Sequence, residues 1–344
     1  MAAQQTQYAG RLIRDFLPYR PYRNFLVPLQ CERLLRALTT CLVCVLIGLS
    51  LSLTLCLLLT SKAYANPLLL DQYQQLKPEL SDSIFGKPIL LNSETGENYV
   101  RGEAYAVLDA PIDAMDELLS KTVSWCELGI LHVNVKSCVY DNEQVLFYVG
   151  CKHYQEPSDA HPVLYRFKQL AEPGQHLNVK LTALGGPFGT YDYQMRLKAV
   201  PINEQQSFIH YQYSYRFGLL AELALKTYLA TLGRHKVGFT ITGIDPRGEP
   251  VYIKGQQGVI ERNIMRYIFA IQSLMEARNL SEKDRQQQRI KNWFDHIAEF
   301  PRQLVELKRS KYYENKRREI ENQTLLQENG INGEDLFGDE EEED

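Results

Sequence analysis

Residues 177–217 read LNVKLTALGGPFGTYDYQMRLKAVPINEQQSFIHYQYSYRF. Apolar and polar side chains alternate in three runs within this stretch, at 177–183, 191–198 and 208–217. A period of two is typical of antiparallel strands that bury one face. The residues that connect the runs include glycine and proline, which favour turns. The stretch therefore predicts three consecutive strands of one antiparallel sheet.

The apolar face of these predicted strands is rich in tyrosine. Its tyrosines are Tyr191, Tyr193, Tyr211, Tyr213 and Tyr215. The opposite face, which includes Phe208 and His210, is predicted to be polar and to face water. The inward tyrosines can pack as a core, or they can line a ligand pocket with an apolar body and a polar tip. The sequence leaves both alternatives open.

A helical period follows the three strands. One helix is predicted over 219–232, and a hairpin then leads into a long helix over 255–278. The apolar stripe of the long helix includes Ile264 and Ile268. A charged helical extension is predicted over 279–328, where Lys, Arg and Glu alternate.

The residues before the three strands predict further elements of the same domain. Residues 100–108 form a predicted strand, and Asp109 and Pro111 after it are typical of a helix start. A pair of short helices and two further strands are predicted up to residue 151. Residues 66–99 contain scattered proline and glycine, and we interpret them as an irregular spacer.

The predicted order of elements resembles the helix-grip fold of the START and Bet v 1-like (SRPBCC) superfamily. That order, over 100–278, is a strand, a helix pair, several antiparallel strands and a long C-terminal helix. The resemblance implies an α+β domain in which a curved antiparallel sheet wraps around the long helix. It also implies a space between sheet and helix that holds a ligand where side chains do not fill it. The helix at 219–232 and the extension after 278 are additions to the simplest members.

The strongest polar cluster lies on the long helix. Arg262 and Arg266 are one turn apart on one face, and Glu261 is next to them. These arginines can anchor the acidic head group of a ligand, or they can belong to a surface ion-pair network. Together with the five tyrosines, Ile264 and Ile268, they are the candidate ligand-binding residues.

The sequence contains no catalytic or cofactor-binding motif and no paired metal-ligand spacing. We therefore expect no catalytic residues, no cofactor and no metal ion. The formal net charge is −4 and no basic field is evident, so we expect no nucleic-acid partner. These observations favour a noncatalytic protein.

The N-terminal part of the chain predicts membrane targeting. Residues 41–59 are uncharged and long enough to cross a bilayer, and arginines precede them. The prediction is a basic cytoplasmic segment at 1–36, a transmembrane helix or signal segment at 37–62, and export of the rest. Ala63 and Ala65 fit a signal-peptidase pattern, so both cleavage after Ala65 and retention as an anchor remain open. The domain is then a single-pass membrane protein, or a periplasmic or secreted one.

Export to an oxidising compartment permits disulfide formation. Three of the seven cysteines, Cys126, Cys138 and Cys151, lie in the exported part. We interpret Cys126 and Cys138 as a disulfide and Cys151 as a free buried thiol, the alternative being three buried thiols without a bridge. The acidic residues at 329–344 are predicted to be disordered.

Three functions are compatible with the sequence. The first is a noncatalytic, START-like domain that binds a hydrophobic or amphipathic, lipid-like ligand at the cell envelope. The second, implied by the resemblance, is an enzyme of the cyclase or dehydratase type with an aromatic or polyketide-like substrate. The third is an envelope interaction module with a filled core, in which the charged C-terminal helix binds a protein partner.

Overall fold

The computed structural model describes residue 42 and residues 68–171, 176–231, 233 and 235–329. The predictions for 1–36 and for the acidic residues after 329 lie outside this part of the chain, as does the predicted membrane segment apart from Leu42. No helix among the described residues is long and apolar enough to cross a membrane.

An antiparallel sheet of eight strands forms the centre of the domain. Its strands are β1 (Ile89–Thr95), β2 (Tyr99–Leu108), β3 (Val135–Tyr140), β4 (Gln144–Val149), β5 (His161–Gln169), β6 (Leu177–Gly185), β7 (Thr190–Pro201) and β8 (Ser207–Phe217). They lie in the order β1-β2-β8-β7-β6-β5-β4-β3. The three runs of alternating residues are β6, β7 and β8, which pair as predicted.

Helices flank the sheet. They are α1 (Leu69–Ser81), α2 (Ile112–Leu119), α3 (Thr122–Gly129), α4 (Leu219–Ala230), α5 (Gly255–Glu276), α6 (Glu282–Ala298), α7 (Pro301–Leu304) and α8 (Arg309–Asn329). A separate hairpin of β9 (Ile241–Ile244) and β10 (Pro250–Tyr252) precedes α5. A disulfide joins Cys126 in α3 to Cys138 in β3, as predicted. The prediction that the remaining thiol is buried is wrong, because Cys151 follows the end of β4 and is exposed.

The long helix α5 packs against the inner face of the sheet. It lies so close to β2 that a Cβ atom on Gly102 would be 2.9 Å from Ile264 and 3.0 Å from Ile260. Ile264 and Ile268 are fully buried. The strand, helix pair, antiparallel strands and long helix together form the predicted α+β helix-grip arrangement.

The interpretation of 66–99 as an irregular spacer is wrong. These residues include α1 and the edge strand β1, which pairs with β2 along its whole length. Strand β5 is a second element that the sequence pattern does not predict. Both β1 and β5 extend the sheet beyond the strands that the clearest alternation identified.

The prediction that Phe208 and His210 face water is wrong. Helix α1 packs on the outer face of the sheet, where Leu69, Leu80 and Phe208 form a small core. His210 is only 8% exposed, because Tyr105 stacks on its ring at 4.2 Å between ring centres. The His210 ring also contacts the Glu103 carboxylate at 3.0 Å. The pKa of the Glu103 carboxyl is lowered to about 2, and the hydrogen bond from His210 is the largest cause of this shift.

The C-terminal helix α8 covers the edge strand β3. The side chain of Gln327 donates to the carbonyl of Tyr140 at 3.0 Å and accepts from its amide at 2.9 Å. An uncovered edge strand offers its backbone groups to other chains, and this helix prevents such pairing. The charged extension is therefore part of the folded domain, because one side of α8 packs on β3.

Three buried charged residues hold α8 on the sheet. The Lys136 ammonium in β3 is 2.9 Å from the Glu319 carboxylate, and the Lys316 ammonium is 2.6 Å from it. Lys136 also donates to the carbonyl of Val133, at 2.8 Å. All three charged side chains are at most 1% exposed. Two cations thus share one anion away from water, which makes this contact sensitive to any change of charge.

Candidate binding site

A cluster of tyrosines lies between the sheet and α5. Its members are Tyr165 from β5, Tyr193 from β7, Tyr211, Tyr213 and Tyr215 from β8, and Tyr267 from α5. The ring centres of Tyr193 and Tyr215 are 5.2 Å apart, and those of Tyr211 and Tyr267 are 5.6 Å apart. These separations are those of aromatic rings in direct contact.

The tyrosines fill the space in which the resemblance implies a ligand. Tyr211 is 0% exposed, and Tyr193, Tyr213 and Tyr215 are at most 8% exposed. Burial raises the pKa of the Tyr211 and Tyr213 phenols well above its usual value, so both are neutral. The buried Tyr211 hydroxyl has no hydrogen-bond partner among the described residues. A side chain without accessible surface cannot border a water-filled cavity, so the ring of Tyr211 is packed on every side.

Tyr191 does not belong to this cluster, although the alternation of β7 places it on the same face. The pairing of β7 with β8 is irregular between Tyr191 and Gln194. Asp192 there has a positive φ of 51°. This irregularity breaks the period of two, and Tyr191 is 39% exposed.

Arg262 and Arg266 are buried and bonded within the protein. The Arg266 guanidinium is 2.7 Å from the Glu306 carboxylate, which Lys236 also contacts. Burial alone would raise the pKa of Glu306, but the charges of Arg266 and Lys236 outweigh it and hold the value at about 2. Arg262 donates to the carbonyl of Val237 at 3.2 Å. The two arginines therefore connect α5 to the segments around residues 237 and 306, and neither interpretation from the sequence describes this role.

Glu261 fixes the segment that precedes β9 against α5 and β1. Its carboxylate accepts hydrogen bonds from the Phe239 amide at 2.6 Å, the Thr240 hydroxyl at 2.6 Å and the Ser93 hydroxyl at 2.7 Å. Because Glu261 is fully buried, these bonds replace its hydration. The position of Phe239 beside the edge of the sheet depends on them.

An open groove lies at this edge, between α1, β1 and the Phe239 segment. Its volume is about 300 Å³. Phe85, Ile89 and Phe239 are buried side chains that form its apolar floor, and Glu79 and Asp82 lie at its exposed rim. Neither acidic residue has an ion-pair partner among the described residues. The groove can therefore hold an apolar group that carries a positive charge at one end.

The backbone of β1 also faces the groove. Gly96 and Tyr99 close the β1–β2 hairpin with a hydrogen bond, and Val107 bonds Pro88. Since hydrogen-bonded pairs alternate in an antiparallel ladder, Ile89, Leu91 and Ser93 direct their amide and carbonyl groups away from β2. The Ile89 carbonyl accepts a hydrogen bond from the Ser83 hydroxyl, and the Ser93 carbonyl accepts one from the Gln257 side chain. Leu91 between them lines the groove and offers it a backbone donor and acceptor.

The groove could not be predicted from the sequence, because two of its walls, α1 and β1, lie in residues 66–99, whose scattered proline and glycine indicate a spacer. Asn92 and Glu94 are exposed and alternate with the half-buried Leu91 and Ser93, which is a strand signal that β1 does carry. No sequence signal places Phe239 opposite this strand, since that contact depends on Glu261 in the folded chain.

No family model matches the sequence, and no curated protein sequence matches it. Among solved structures, norcoclaurine synthase from Thalictrum flavum is similar at 11% identity with a TM-score of 0.28, over 42% of this chain and 82% of that chain. A START superfamily protein from Mycobacterium smegmatis is similar at 14% identity with a TM-score of 0.26, over 40% and 92%. The Zhui aromatase/cyclase from Streptomyces sp. R1128 is similar at 10% identity with a TM-score of 0.28, over 42% and 86%. These scores carry no argument about function, and the assignment of a helix-grip fold is based on the strand order described above.

Proposed function

We propose that this protein is a noncatalytic binding module held at the cell envelope, and that it binds an amphipathic ligand with a cationic end in the groove beside β1. The groove carries the proposal, because it combines an apolar floor, an acidic rim and an exposed backbone donor and acceptor. The packed tyrosines support a ligand site outside the space between sheet and helix.

Binding in the groove is tested with two fluorescent probes of equal chain length, a long-chain amine and a fatty acid. We expect the chain without residues 1–65 to bind the amine more tightly, because Glu79 and Asp82 attract its ammonium group. The double change Glu79→Gln and Asp82→Asn should weaken amine binding by roughly fivefold, the effect of an exposed charge pair, and leave fatty-acid binding unchanged.

The matched control is Asp113→Asn with Glu117→Gln, which removes the same charge from exposed positions on α2. This control should bind both probes as the unmodified protein does. Equal loss of amine binding in both double variants would refute the groove site, as would failure of the unmodified protein to bind either probe.

Export of the domain is the second part of the proposal, supported by the uncharged residues 41–59 and the arginines before them. A reporter enzyme that is active only outside the cytoplasm, fused after Asp344, should be active. The same fusion with a reporter that requires the cytoplasm should be inactive. Activity of the cytoplasmic reporter would contradict the topology without affecting the groove.

A further inference from the structure

Three cations lie side by side on the outer face of the sheet. Lys168 in β5 is directly opposite Lys180 in β6, and Lys180 is directly opposite Arg196 in β7. Neighbouring positions on the same face add Arg166, opposite Thr182, and Lys198, opposite Asn178. These cations belong to three separate strands and become neighbours only through the strand register, so the sequence alone shows no basic field.

Like charges that face each other across two strands destabilise a sheet. Glu103 in β2 is the acidic residue that the strand register places in line with Lys168, Lys180 and Arg196. It already contacts His210, Gln212 and Arg101. Arg196 and Lys198 have polar partners of their own, so the argument depends on the other three cations. Arg166, Lys168 and Lys180 have no ion-pair partner among the described residues. An uncompensated row of this kind is suited to binding an anionic chain.

A strongly acidic stretch of the chain follows α8, whose end lies near this face. Gln327 near the end of α8 bonds Tyr140, which pairs with Val145 in β4, and Gln144 in β4 pairs with Arg166. Two strand spacings, about 10 Å, therefore separate the backbone of Tyr140, which the side chain of Gln327 contacts, from that of Arg166. The 15 residues from 330 to 344 can extend about 50 Å. Their acidic members are Glu334, Asp335 and all six residues from 339 to 344.

We propose that residues 330–344 bind across Arg166, Lys168 and Lys180 and neutralise the outer face of the sheet. Attachment to the end of α8 makes the acidic residues an intramolecular partner with an effective concentration on the order of millimolar. An anionic lipid surface or an acidic protein must displace these residues to reach the same cations. The outer face is then an anion-binding surface covered by acidic residues of the same chain.

The test uses the full chain in nanodiscs of zwitterionic lipid and measures the acetylation rate of individual lysines by mass spectrometry. Neutralising residues 339–344, with Asp→Asn and Glu→Gln at each position, should raise the rates at Lys168 and Lys180 by roughly threefold or more, because a tethered partner is lost. Lys283, an exposed lysine on α6, should react at the same rate in both proteins. In the unmodified chain, a zero-length carbodiimide should cross-link residues 334–344 to Lys168 or Lys180 in preference to Lys283.

Unchanged rates at Lys168 and Lys180, or cross-links distributed equally over all three lysines, would overturn the proposal. Protection that persists after neutralisation, and that requires anionic lipid in the nanodisc, would also overturn it and identify the lipid surface as the occupant. Neither the probe measurements on the groove nor the reporter fusions depend on this result.

Discussion

Replacing Tyr211 with alanine is expected to lower the free energy of unfolding by about 3–5 kcal/mol, the usual cost of removing a large aromatic side chain from a packed core. Tyr211 is fully buried and its ring is 5.6 Å from that of Tyr267 on α5. The cavity left by the substitution would lie between the sheet and the long helix. The measurement is the urea unfolding midpoint of the chain without residues 1–65.

Tyr211→Phe is the matched control. It keeps the ring and removes only a buried hydroxyl that has no hydrogen-bond partner among the described residues. Because an unsatisfied buried hydroxyl is itself destabilising, the midpoint should be unchanged or higher. A decrease similar to that of Tyr211→Ala would show that the hydroxyl has a partner that the packing does not reveal.

The same alanine variant separates a packed core from a ligand pocket. If the tyrosines surround a ligand, the substitution should cost little stability and should change the uptake of a fluorescent fatty acid. A large loss of stability without a change in uptake would support the packed core and would remove the space between sheet and helix as a lipid site. The groove beside β1 would then remain the candidate site.

The elements with the most regular residue patterns could be predicted from the sequence. The period of two in β6, β7 and β8 and the apolar stripe of α5 identify the sheet and the helix that packs on it, and together with the helix pair they indicate the helix-grip fold. Helix α1 was missed, since Pro78 interrupts its pattern and its burial depends on Phe208 in a distant strand. Tyr191 was misplaced because an irregular pairing in β7 breaks the period locally.

The candidate sites depend on contacts that a linear pattern does not contain. The groove needs Phe239 beside β1, and the basic row needs the register of β5, β6 and β7. The buried charges beneath α8 are a third example, because Lys316 and Glu319 are ordinary residues of a charged segment and Lys136 is a lone lysine of β3 until the helix packs on that edge strand. A sequence can indicate which residues share one face of an element, but not which faces meet.

Replacing Glu319 with glutamine is expected to destabilise the domain by about 3–5 kcal/mol, since it leaves two buried lysines without an anion. The carbonyls of His132 and Val135 accept from Lys316, but they do not neutralise its charge. The measurements are the urea midpoint and hydrogen exchange of the α8 amides, which should become fast if the helix leaves the sheet. Glu321→Gln, the same change at an exposed position of α8, should alter the stability by at most about 0.5 kcal/mol.

The pH dependence of stability provides an independent test of the same contact. Burial lowers the pKa of Lys316 from 10.5 to about 8, because the opposing charge of Glu319 offsets only part of the effect of burial and of the Lys136 charge. Between these two values the unfolded chain holds more protons at this residue than the folded chain does, so the contribution of Lys316 to stability increases as the pH rises from about 8. Lys316→Met removes this contribution and keeps the Lys136–Glu319 pair. The urea midpoint of the unmodified chain should therefore rise relative to that of this variant between pH 7 and pH 9.5. A constant difference between the two midpoints would show that folding does not lower the pKa of Lys316.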